Sequence, residues 1–186
     1  MEDQDSYPRY IPRYRLQNPD DPIAYQLGNR SLFVDCLDPS IGWSKFRERI
    51  LHVQRLLAEE GLLPGPSHHG LRYLYLFQRE DLPDASGLRL RIQLGDRVSG
   101  NQLPELEIVL TYRGYRHSLE ITPSTSVTEG GEKRSGTAVS IQTNHPVLGD
   151  WSQIPRHLED LYEASRAVLF ELVLSEALIE RLEPEY

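Results

Sequence analysis

Large apolar residues recur every three or four positions from Trp43 through Phe46, Ile50, Val53 and Leu57, the spacing of one helical face. Gly61 stands where a left-handed C-cap belongs and Pro64 follows it, so the pattern predicts a helix over about 43–60. A second stripe, Leu158, Leu161, Val168, Leu172 and Ile179, predicts a long helix over about 154–182, with Pro155 suited to its first turn and Glu183-Pro184 ending it. Between the two helices the period changes to two. Leu88, Leu90, Ile92 and Leu94 alternate with Arg89, Arg91 and Gln93, and Leu106, Ile108 and Leu110 alternate with Glu105, Glu107 and Thr111. Paired as a hairpin, these strands would set Arg91 diagonally from Glu107.

Three further segments complete the pattern. Ile23–Leu27 and Ser31–Leu37 flank Gly28-Asn29, a hairpin signal. Leu71–Phe77 is apolar on both faces, which predicts a central strand. His117–Thr122 and Thr137–Thr143 read as another pair, and the Ser/Thr-rich run Pro123–Gly136 between them as a mobile hairpin tip. The sum is an α+β fold, an antiparallel sheet of about six or seven strands covered by two long helices. No linker divides it, so residues 1–186 read as a single domain with 1–22 as an extended Pro/Tyr/Arg-rich segment.

Composition narrows the function classes. A chain of 186 residues, 39% apolar and 26% charged, is ordinary for a globular protein and long enough to bury a sizeable core. Net charge is −8, so the whole-molecule field disfavours nucleic acid and anionic membrane. The longest apolar stretch, Ala167–Ile179, is broken by Glu171 and Glu176, and the acidic start Met1-Glu2-Asp3 lacks the order of a signal peptide. A cytoplasmic protein with no membrane partner is expected.

Candidate chemistry is sparse. Cys36 is the only cysteine, which excludes an internal disulfide and a cysteine zinc site; Asp35 and Asp38 beside it disfavour the thiolate. His68-His69 are adjacent, His52, His117, His145 and His157 stand alone, and none has metal-ligand spacing. Gly130-Gly131-Glu132-Lys133-Arg134-Ser135 lacks the spacing, preceding strand and following helix of a phosphate loop. The paired carboxylates fall on predicted helix surface or loops. No catalytic residue, metal or cofactor is assigned.

Two features remain. Arg9, Arg13 and Arg15 interleave with Tyr7, Tyr10 and Tyr14, a basic-aromatic pattern in which Tyr7, Arg9, Tyr10, Arg13 and Tyr14 suit a protein partner and, less well at this net charge, single-stranded nucleic acid. Arg72 lies among large apolar residues, where its donors need a carboxylate or a ligand anion. With Tyr73 and Tyr75 it suggests a small-anion site in a cavity between sheet and helix, while a structural ion pair is the plainer reading.

Four short motifs carry a resemblance: Arg13-Tyr14-Arg15, Gln26-Leu27-Gly28-Asn29, Trp43 with Phe46, and Gly70-Leu71-Arg72-Tyr73. In this order they resemble a sporadically distributed family of uncharacterised bacterial proteins. The resemblance covers Arg13 to Phe77, with the C-terminal half similar only in its order of strands followed by a helix. Against that family the N-terminus reads as shortened, and Val139-Ser140-Ile141-Gln142-Thr143 stands where an acidic strand is common. The resemblance implies a fold and no activity. The expected function is therefore a non-catalytic interaction or accessory subunit of a bacterial system, as a homodimer or with another protein. The alternatives are the small-anion module and, behind it, a nucleic-acid-binding protein or hydrolase.

Overall fold

A computed structural model describes residues 12–28, 31–61, 65–90, 93–94, 96–98, 100, 102–103, 105–129, 132–146, 149 and 151–182. The chain forms two compact units, Met1–Pro64 and Gly65–Tyr186. Helix and antiparallel sheet combine as the sequence patterns predict, giving an α+β fold. The strands divide into a three-stranded sheet, a four-stranded sheet and a two-stranded ribbon, in place of one continuous sheet.

In the smaller unit β1 (Tyr14–Gln17), β2 (Ile23–Leu27) and β3 (Leu32–Cys36) pair antiparallel in that order. The Asn-Pro-Asp-Asp-Pro turn between β1 and β2 forms because its side chains replace backbone partners: Asn18 Oδ1 accepts from Asp20 N at 3.2 Å and Asp21 Oδ1 from Ile23 N at 3.0 Å. Asp38 Oδ1 accepts from Ser40 N at 2.9 Å and leads the chain through a 3-10 turn into α1 (Gly42–Glu59). Ile50 is the buried residue of that helix, and Gly61, at φ +61°, ends it as the sequence predicts.

The larger unit is built on β4 (His68–Gln78), β7 (Leu106–Tyr112), β8 (Tyr115–Glu129) and β9 (Glu132–Pro146), in the order β4-β9-β8-β7. β7 and β8 are joined by Arg113-Gly114, both at positive φ (49° and 82°), the geometry of a tight hairpin turn. Three expectations are corrected. β4 is an edge strand, not a central one, and Leu74 on it is 56% exposed. Among its described residues the run from Leu88 does not pair with β7: β5 (Gln93–Leu94) is strand, hydrogen-bonded to β6 (Arg97–Val98), while Leu88 is buried and bridges Leu174. Arg91 lies outside the described residues. The expected hairpin tip is paired strand almost throughout, from Thr125↔Gly136 to Glu129↔Glu132, because a bulge between Thr122 and Thr125, with Ser124 at φ 55°, absorbs the irregularity. Gly130-Gly131 lies outside the described residues.

The second helix is also corrected. It runs as α2 (Ile154–Ala167), widens into a π-helical turn over Val168–Val173, breaks at Leu174 and resumes as α3 (Glu176–Leu182). Leu174 N donates to Leu169 O at 2.9 Å, an i→i+5 bond that admits one residue more than an α-helical turn. The extra residue rotates the stripe: Leu169, Val173 and Leu174 are buried, while Leu172, expected on the apolar face, is 38% exposed. Ser175 Oγ accepts from Leu178 N at 3.3 Å and caps α3. The core joins Leu119, Ile121, Val139 and Ile141 of the sheet to Val168, Leu169, Val173, Leu174 and Leu178.

This register yields a contrast measurable by urea denaturation. Leu169→Ala empties a buried site and is expected to cost about 2–5 kcal/mol. Leu172→Ala, which a regular helix would place in the core, is expected to cost under about 1 kcal/mol. Equal losses would mean that Leu172 is a core residue and the π turn is misplaced.

Candidate functional site

Strand alternation decides which candidate residues share a surface. Tyr73 and Tyr75 lie on the helix-covered side of β4. Their rings stack at 5.9 Å, and Tyr73 lies 6.0 Å from Tyr162 of α2. Burial, with Tyr162 beside it, pushes the Tyr75 phenol up to about 12, so it stays a neutral core group. Arg72 lies on the opposite face. Its Nε donates to Ser140 Oγ at 2.8 Å and its Nη2 meets Glu120 Oε2 at 3.4 Å. The three residues therefore do not line one cavity. Arg72 acts locally, because Glu120 sits directly across from Glu107 and the guanidinium offsets that like-charge pair.

Three histidines converge where the sequence offers no local signal. His69 on β4 is the cross-strand partner of His145 on β9, and the His145 ring lies 5.3 Å from His157 in the first turns of α2. Tyr115 of β8 packs against His145 in a tilted arrangement, ring centres 5.2 Å apart. The Nδ1 atoms of His69, His145 and His157 are buried without a hydrogen-bond partner. Burial, then proximity to His157 and His145, lowers His69 to about 4. The cluster is a packed set of aromatic rings in which burial opposes protonation of His69. Among the described residues no group of three or more His, Cys, Asp or Glu side chains is arranged to hold a metal ion. His117 is placed differently: its Nδ1 is 2.9 Å from Thr143 Oγ1 and its Nε2 is 3.1 Å from Tyr112 O, both hydrogen bonds satisfied inside the sheet.

A second cluster sits on the π turn. Glu171 accepts from Tyr112 Oη at 2.5 Å and from Arg113 Nη2 at 2.6 Å, and its backbone carbonyl accepts from Arg89 Nη1 at 3.1 Å. The Tyr112 hydroxyl, with Arg113, holds the carboxyl below the usual carboxylate range. All its partners are intramolecular, so the cluster reads as a clasp between the β7–β8 turn and the helix.

The smaller unit carries the most unusual surface. Register aligns Tyr14–Leu27–Leu32 in one row and Leu16–Tyr25–Val34 in the next, so one face of the three-stranded sheet is apolar throughout. At its β1 edge Tyr14 is 67% and Leu16 57% exposed. The other face is mixed, with Arg15, Gln26 and the 38% exposed Phe33 in one row and Gln17, Ala24 and Asp35 in the next, and Gln26 donates to Asp35. Of the residues assigned to a partner surface, Arg13 and Tyr14 lie at this edge, whereas Tyr7, Arg9 and Tyr10 lie outside the described residues. Cys36 is on β3, its thiol raised by burial and by Asp38 despite a bond to the Asp38 carbonyl at 3.1 Å.

No family model, curated protein or solved structure matches this chain. Among the described residues no helix is long and apolar enough to cross a membrane.

The histidine cluster and the Arg72 pair each generate a prediction. A histidine whose folded value lies below its unfolded one, 6.5, costs stability as pH falls between the two, because the unfolded chain takes the proton first. The stability difference between the wild type and His69→Leu should be constant above pH 7, shift by up to about 3 kcal/mol between pH 6.5 and 4, and level off below. Parallel profiles would show that His69 titrates normally. Arg72→Ala, which removes an exposed ion pair, should lower stability by under about 1 kcal/mol in thermal unfolding.

Proposed function

We propose that this protein is a non-catalytic interaction subunit, an accessory component of a larger cytoplasmic assembly in a bacterium, and that the three-stranded sheet supplies its contact surface. One observation carries the reading: the exposed Tyr14 and Leu16 at the rim of an otherwise apolar sheet face. Removing one such side chain from water contributes about 1.5–3 kcal/mol, so a partner covering both gains a useful part of its affinity there. The four-stranded sheet offers no equal surface. Its outer face exposes Leu74 and Val109, but on opposite edge strands, with Ser140, Glu120, Gln142 and Ser118 between them. The residues assigned to this surface, Arg13 and Tyr14, also stand in the Arg-Tyr-Arg motif of the family resemblance, whose membership is part of the same proposal.

A homodimer and a hetero-complex differ at this edge. Two copies joined through β1 would bring their Arg13 and Arg15 side chains together, so a different protein is the favoured partner. Native mass spectrometry of the protein isolated gently from its own host tests the reading. The expected result is a stoichiometric foreign subunit that is absent from the Leu16→Asp variant. A bare 21.4 kDa monomer for both, or a partner retained by Leu16→Asp, would remove the proposal.

A further inference from the structure

Resting on that interaction reading, we infer that β1 receives an extended strand of the partner by β-addition, a strand in which large apolar residues alternate with carboxylates. β1 is the edge of its sheet, and on alternate residues its backbone N–H and C=O groups point away from β2. All four of its residues are exposed. An added strand would continue both apolar rows, covering Tyr14 and Leu16 with every second side chain, and its backbone would pair with the open edge.

The intervening side chains meet the other face, where Arg15 projects from β1 and Arg13 flanks it by the same alternation. Neither arginine forms a side-chain hydrogen bond or ion pair among the described residues, in contrast to Arg49, which pairs with Asp21 at 3.5 Å. A carboxylate at the facing positions supplies the missing partner. The net charge of −8 opposes an acidic strand only at a distance: screening confines that field to about 8–10 Å, while cross-strand side chains lie within about 5 Å. Tyr14 and Leu16 also separate this edge from one that is merely guarded. A strand end protected against aggregation carries charge and little exposed apolar surface, and here two large apolar groups stand open between the arginines.

The probe is a capped twelve-residue peptide alternating valine and glutamate, compared with its valine/lysine counterpart. Both are titrated into the full chain and followed by fluorescence anisotropy. The valine/glutamate peptide should bind roughly tenfold more tightly, and it should slow amide hydrogen exchange at residues 14–17. The double variant Arg13→Glu/Arg15→Glu should reverse the preference, with unchanged thermal unfolding showing that the variant is folded. Binding of neither peptide, equal binding of both, or binding without protection at residues 14–17 overturns strand addition. If the native complex survives Arg15→Glu but is lost in Leu16→Asp, the interaction reading stands and strand addition fails. If it survives both, both fail.

Discussion

β9 is the strand on which the larger unit depends. It pairs on one side with β4 and on the other with β8, so every second side chain along it is set against a sheet neighbour on each flank. Val139 and Ile141 then fall on the helix-covered face with Thr137, Thr143 and His145, while Ala138, Ser140 and Gln142 fall on the other. That single alternation builds the core, buries His117 against Thr143, and brings His145 beneath α2 beside His69. A shift of one residue in this register would exchange the two faces and bury Gln142 and Asn144 in place of Ile141 and Thr143.

Much of this was legible in the sequence where one periodicity acted alone. The hairpin around Gly28-Asn29, helix α1 with its Gly61 cap, and the pairing of His117–Thr122 with Thr137–Thr143 follow from local chemistry. The misreadings share a physical cause. Leu71–Phe77 is apolar on both faces, which ordinarily marks a central strand, but Leu74 is left open at an edge. Leu88 and Leu90 alternate like strand residues, yet Leu88 serves as a plug under Leu174. Ser and Thr mark loops by composition, while Thr122, Thr125 and Thr128 also suit the pleat of a long ribbon, and pairing decided between the two.

The site was harder to foresee. His69 and His145 are seventy-six positions apart and become neighbours only through the β4–β9 register, so no spacing rule could join them. Arg72 was recognisable as an arginine in need of a partner, and it has one in Glu120. Tyr73 and Tyr75 face away from it, because adjacent strand residues point to opposite sides of the sheet. The apolar face of the small sheet was latent in Tyr14, Leu16, Tyr25, Leu27, Leu32 and Val34, but three strands had to be aligned before it became one surface.

The π turn carries a consequence for chain length. Deleting any one residue of Val168–Val173 would let the segment relax into regular α-helix, with every backbone group still paired. Because the π turn holds one residue more than the α-helical turn it replaces, the remainder of the chain would arrive in nearly the same phase. Leu178 would keep its place in the core and Ser175 its place beside Gly87, to whose carbonyl its amide donates at 2.9 Å, whereas forcing all six residues into α-helix would turn both by about 100°. The segment thus acts as a phase setting, in which the number of residues matters as much as which residues they are.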